Sequence, residues 1–260
     1  MVRLLMCQPH AVVERSSSML RQWERLVELL GVAGDVSIER IEPGARGPQG
    51  AATAHAALIC GNLAIMSSRG QRSERAAYRS WLIARGYATT TLAQTAFGGA
   101  ADAAFDRVRP YLYVGYGQET DRAAAIALAE LTDARVIPVR VVDETFRHLN
   151  SVLCPLGSGH VLFYPDAFSS QSQRLIRTSI DADALIELSP EDAFAFASSP
   201  IEIDDALVVG EISRQLSSRL RFAGYRVFST DLSEFALGGA VPRALALRLD
   251  DGPGSAGVAA

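Results

Sequence analysis

The sequence predicts an α/β fold built as a ring of five similar units, and three observations carry that prediction. Five amphipathic helical segments recur along the chain, each leading to a run of β-forming residues, and these runs start 51, 48, 49 and 41 residues apart. Between each run and the next helix lies a pair of short apolar stretches around a tight turn. The last such stretch, Ala244–Leu249, finds its mate in the N-terminal Arg3–Cys7; pairing the two termini closes the ring and leaves no exposed sheet edge there.

The elements follow in chain order. Arg3–Cys7 reads as a first strand. The first helix, Ser16–Leu30, places Met19, Trp23, Leu26 and Leu30 on one face, with Ser16 to Ser18 as caps and Gly31 as its stop. The other helices are Ser73–Arg85 with Ser73 as N-cap, Asp121–Leu131, Gln171–Ser179 and Glu211–Phe222. The β-runs that follow the helices are Val36–Ile41, Tyr87–Leu92, Arg135–Val142, Ala184–Leu188 and Tyr225–Ser229. Paired strands are expected over Ala56–Met66, Ala103–Val114, Val152–Tyr164 and Ile201–Val209. Their turns fall at Gly61-Asn62, Arg109-Pro110, Gly157-Ser158-Gly159 and Asp204-Asp205. No linker divides the chain, so residues 1–250 are expected to form one domain, and the Gly- and Ala-rich stretch 251–260 a tail.

Composition narrows the function classes. With 260 residues, 48% of them hydrophobic, the chain can bury a full core. A net charge of -4 and a pI near 5.6 argue against a nucleic-acid partner. No apolar run reaches the roughly 18 residues of a membrane span, and no cleavage site follows the N-terminal apolar stretch. The three cysteines, Cys7, Cys60 and Cys154, are too few and too scattered for a disulfide framework or a metal cluster, so a reducing, cytoplasmic home is expected. Cys7 and Cys154 read as small core residues. All 25 Lys and Arg residues are arginine, which excludes lysine Schiff-base chemistry.

Several motifs carry a resemblance. Leu5-Met6-Cys7-Gln8-Pro9 looks like an opening strand, and Gln22-Trp23 matches a pair on a first helix. Phe97-Gly98-Gly99-Ala100-Ala101-Asp102 resembles F-E-G-A-G-D, and Gly115-Tyr116-Gly117-Gln118-Glu119-Thr120-Asp121 resembles G-Y-G-F-R-T-D. His148-Leu149-Asn150-Ser151-Val152-Leu153-Cys154-Pro155-Leu156 resembles H-L-D-T-C-F-C-P-L, and Ser233-Glu234-Phe235 resembles the S-E-F that precedes a C-terminal strand. Together, in this order, they resemble the family of dimethylarginine dimethylaminohydrolases, arginine deiminases and amidinotransferases, the pentein superfamily. That resemblance implies a five-bladed α/β propeller of units of about 50 residues, with its site in the central channel.

It also implies a chemistry that this sequence does not carry in full. In the family a Cys nine residues after the Phe of S-E-F attacks the guanidinium carbon, a His moves protons, and acidic residues hold the guanidinium. Here that position is Ala244, the Glu of F-E-G is Gly98, the Arg of G-Y-G-F-R is Glu119, and the Asp of H-L-D is Asn150. His148 and Asp102 are kept. Thr53-Ala54-His55-Ala56-Ala57 matches F-T-A-N-A-G, which places His55 where an Asn or Asp of the family usually contacts substrate, and Arg75 matches the Arg of an E-R pair on the second helix.

The resemblance therefore implies catalytic roles for His148, Asp102 and His55, and substrate contacts for Glu119, Asn150 and Arg75, with Ala244 marking a lost nucleophile. Each has a structural alternative: His148 can satisfy buried backbone groups, Asp102 a turn, and Glu119 a helix start. Scattered ligands without motif spacing assign neither metal nor cofactor. The expected partner is a small molecule in the central channel, with no nucleic acid or membrane and with homo-oligomer formation left open. The reading is a repurposed enzyme doing non-covalent acid/base chemistry on a small cationic or neutral nitrogen compound in specialised biosynthesis. The alternative is a catalytically inactive propeller that binds or supports a partner. Glu119, in place of an Arg, is expected to turn the pocket wall negative and to disfavour carboxylates.

Overall fold

A computed structural model of the chain describes residues 1–9, 16–42 and 48–253. The expected tail thus lies, from residue 254 onward, outside the described residues. Fifteen strands, β1 to β15 in chain order, form five three-stranded sheets. In chain order the sheets are β1 (Val2–Cys7) and β2 (Val36–Ile41); β3 (Ala57–Cys60), β4 (Leu63–Met66) and β5 (Ala88–Thr91); β6 (Ala103–Phe105), β7 (Tyr111–Tyr116) and β8 (Arg135–Arg140); β9 (Leu153–Pro155), β10 (Val161–Phe163) and β11 (Leu185–Glu187); and β12 (Ile201–Ile203), β13 (Ala206–Val209) and β14 (Arg226–Ser229). The final strand, β15 (Ala246–Arg248), completes the first sheet by pairing antiparallel with β1, Leu5 opposite Leu247.

Every sheet repeats one pattern. An inner strand pairs antiparallel with a central strand, and the central strand pairs parallel with an outer one. A parallel neighbour cannot be reached by a tight turn, so a helix must make each crossover. The crossover helices are α1 (Ser16–Ala33), α2 (Arg72–Ile83), α3 (Ala123–Leu131), α4 (Ser170–Ser179) and, after the short α5 (Pro190–Phe194), α6 (Arg214–Phe222); a last short helix, α7 (Ser233–Leu237), precedes β15. The pseudo-fivefold ring expected from the repeat is the fold observed.

Local departures have local causes. Helix α1 runs past Gly31 to Ala33, whose side chain is buried. The expected caps, Ser16 to Ser18, lie within the helix itself, and the position before it is outside the described residues. Helix α2 starts at Arg72, with Gln71 rather than Ser73 at the cap position and no side-chain cap bond. Ser213 caps α6, accepting from the Leu216 N–H at 3.1 Å, so this helix begins after the expected Glu211. Trp23, Leu26 and Leu30 are buried as the α1 periodicity requires.

A structural turn precedes four of the inner strands at the same end of the ring. These are single 3-10 turns at Thr53–His55, Gly99–Ala101, Leu149–Ser151 and Pro242–Leu245, and they touch one another around the axis. Small residues permit that approach. At Gly99 (φ +69°) an added Cβ would lie 2.9 Å from the Ala54 carbonyl oxygen, so neither a larger residue nor an ordinary backbone conformation fits. Thr53 ties the ring closed: its hydroxyl donates to the Leu5 carbonyl and accepts from the Leu247 N–H, both at 2.9 Å.

Candidate active site

The turns before the inner strands bring the residues singled out in the sequence to one place. A cavity of about 660 Å³ is lined by His55, Arg75, Glu119, His148, Asn150 and Ala244, among others. Asp102 lies beneath it, 3% exposed.

Asp102 anchors the floor. Its Oδ1 lies 3.1 Å from His148 Nδ1 and accepts from the Leu149 N–H at 3.1 Å. Its Oδ2 accepts from the Thr120 hydroxyl at 2.6 Å, and Thr120 Oγ1 in turn accepts from the Gly98 N–H at 2.9 Å. A carboxylate with three donors is fixed in place, and it fixes the tautomer of its partner: Nδ1–H of His148 faces Asp102, leaving Nε2 as the basic ring nitrogen. A Cβ added to Gly98 would fall 2.2 Å from Asp102 Oδ2. The carboxylate of Asp102 thus fills the space that a side chain at position 98 would need, so Gly98 is part of the arrangement.

His55 packs against His148, with ring centroids 4.4 Å apart and planes at 53°. Burial lowers its pKa to about 3; the neighbouring His148 adds to that effect and Asp102 opposes it. At neutral pH it is an uncharged imidazole, able to donate and accept hydrogen bonds but not to act as a cation. Asn150 is buried against the same cavity, and its side-chain NH₂ finds no partner among the described residues. A buried donor without an acceptor is a site waiting for a ligand oxygen or a water.

The wall departs from the expected negative face. Glu119 does line the cavity, but Arg69 and Arg147 hold its carboxylate. Arg69 Nε sits 3.6 Å from Oε2 and donates to the Glu119 carbonyl at 2.7 Å, and Arg147 Nη2 pairs with Oε1. The carboxylate charge at position 119 is compensated within the chain by two arginines from other loops. Arg75 also lines the cavity and donates through Nη1 to the carbonyls of Ser68 and Gly70. Glu74, beside it, is a wall carboxylate with no ion pair among the described residues; burial raises its pKa. Sequence reasoning missed Glu74, Arg69, Arg147 and the linking role of Thr120. Of these, Thr120 sat in a quoted motif and Glu74 was the acidic half of the E-R pair that gave Arg75, whereas Arg69 and Arg147 sat in none.

None of the three cysteines lines the cavity. Burial raises all three thiols, Cys7 to about 12, so none supplies a thiolate at neutral pH. Among the described residues no cluster of three or more His, Cys, Asp or Glu could hold a metal ion, and no helix is long and apolar enough to cross a membrane.

With the geometry described, the relatives can be placed. No protein-family model matches the chain. It is 29% identical over 269 residues to the bifunctional arginine dihydrolase/ornithine cyclodeaminase ArgZ of Synechocystis sp., a match covering 96% of this chain and 38% of ArgZ. It is 29% identical over 222 residues to the N(G),N(G)-dimethylarginine dimethylaminohydrolase of Mycobacterium tuberculosis, covering 84% and 71%. The chain therefore spans about two fifths of the length of ArgZ. The crystal structure of the N-terminal domain of ArgZ, a cysteine-to-serine variant bound to substrate, superposes with a TM-score of 0.90 at 29% identity, covering 98% of this chain and 100% of that domain. A dimethylarginine dimethylaminohydrolase structure at 18% identity and TM-score 0.77 shares the fold.

The fold is that of the pentein superfamily. The chain's homologues within it are the arginine dihydrolase ArgZ and dimethylarginine dimethylaminohydrolase.

Proposed function

We propose that the protein is a hydrolase without a catalytic thiol, acting on the amidine, guanidine or amide carbon of a small cationic or neutral nitrogen compound. The observation that carries this reading is the Asp102–His148 pair at 3.1 Å beneath a cavity that Ala244, not a cysteine, lines. In this reading Ala244 takes the nucleophile's position, so water does the attacking. His148 Nε2 removes a proton from that water as its oxygen adds to the electrophilic carbon. The Asn150 amide and neutral His55 hydrogen-bond the charge that develops. His148 then returns the proton to the departing nitrogen, so that an amine or ammonia leaves and a carbonyl compound remains. Glu74 offers the wall charge for a cationic head. Residues 1–250 act as one domain in this reading, which is consistent with a role in small-molecule biosynthesis in the cytoplasm.

A second reading is favoured by the alanine itself: a propeller that binds the same class of compound without turning it over. The test is release of ammonia or amine from a panel of guanidines, amidines and amides, with binding followed by calorimetry. In the first reading His148→Asn and Asp102→Asn abolish release while ligand still binds. In the second the wild-type protein binds and releases nothing.

A further inference from the structure

A second cavity, about 690 Å³, adjoins the first, and Phe196 and Leu237 line both. Its wall is largely apolar, including Phe194, Leu232, Ala236 and Pro242. Of the polar groups that line it, Asp231 is already engaged: it accepts from Gln22 at 2.8 Å and from the Ser233 N–H at 2.9 Å. At the junction Leu237 is 76% exposed, and on the second cavity's wall Phe194 is 56% exposed, its ring meeting Phe146 with centroids 5.4 Å apart. Phe196 stands on this shared wall with φ at +56°, a conformation that a bulky residue adopts only when its surroundings hold it. The edge contact of its ring with Phe146, centroids 6.1 Å apart, helps to hold it there.

The nitrogen-bearing head of the proposed ligand would occupy only part of the first cavity, and the continuous path leads past Leu237 into apolar walls. We infer that the second cavity is a subsite for an apolar arm, alkyl or aryl, of the same ligand whose head lies at His148. The inference rests on the functional reading above for the head group. The arm accounts for Leu237, which faces solvent at the join of two cavities, and for the strained Phe196 that shapes the passage.

The test is calorimetric titration of the full chain with an n-alkylguanidine series, methyl to hexyl. A buried methylene contributes about fourfold in affinity, so a gain of at least tenfold across the series is expected. Two variants, Ala236→Trp and Ala195→Trp, place bulk at two positions of the second cavity's lining; both should remove the gain and leave methylguanidine binding unchanged. Affinity that stays flat along the series, or a gain that survives in both variants, overturns the inference and leaves the head-group reading standing. If no alkylguanidine binds, a guanidine head group is ruled out, and the neutral fluorophore N-phenyl-1-naphthylamine decides for the cavity alone. Enhancement lost in both variants supports an apolar subsite, and no enhancement with the wild-type protein overturns it.

Discussion

Position 98 shows how a residue that looks like a loss can be a requirement. Asp102 occupies the space above Gly98, so Gly98→Ala must displace either the carboxylate or the turn. Overpacking of this kind costs about 1–3 kcal/mol. A drop of that size in the unfolding free energy, read from urea unfolding, together with loss of any turnover, is the expected outcome. Gly98→Ala combined with Asp102→Gly should regain part of the stability but none of the activity; full additivity of the two losses would disprove the contact. His55 makes a second prediction at this scale. Its folded pKa of about 3 lies below its ordinary value of 6.5, so the unfolded chain binds the extra proton first. Stability from this group is complete above pH 6.5 and declines as pH falls toward 3, by up to ~1.4 kcal/mol per unit. Unfolding free energies at pH 7, 6, 5 and 4 should therefore fall less steeply in His55→Asn than in the wild-type protein.

At the scale of elements, the legible and the illegible separate by range. The five crossover helices and their strands follow from periodicity, because each buries one face against its own sheet. The five-residue helices α5 and α7 were not expected, since so short a segment shows no period. What holds α7 is distant in sequence: Gln22 of α1 donates to Asp231 and to the Ser233 hydroxyl, and accepts from the Glu234 N–H. The Gln22-Trp23 and Ser233-Glu234-Phe235 motifs are thus two halves of one junction. Because α7 walls both cavities, Gln22→Ala should lower stability by about 1–3 kcal/mol and weaken binding of long ligands more than short ones. Equal weakening of both would argue that α7 does not shape the passage. His55, Asp102 and His148 were legible from their motifs, whereas Arg69 and Arg147 were not, because a salt bridge between loops leaves no spacing in the sequence. The charge expected at Glu119 erred for that reason.

At the scale of the whole molecule, Thr53 joins the first strand to the last. Thr53→Val keeps the shape but removes the hydroxyl that bridges the buried Leu5 carbonyl and Leu247 N–H. A loss of about 2 kcal/mol or more is expected, and hydrogen exchange should rise first in β1 and β15. Protection that falls uniformly across the five sheets would show that the closure is not a local weak point.

Ring closure also orders events in time. A ribosome makes β1 well before β15, and at roughly 5–20 residues per second the interval between them is on the order of tens of seconds. Throughout that interval β1 has β2 on one side and nothing on the other, so the nascent chain carries an open apolar edge until β15 emerges. A chain stalled or cut before Ala246 should therefore be the species that chaperones and proteases meet, and its cohesion with a second unfinished copy through β1 is the hazard that this architecture carries.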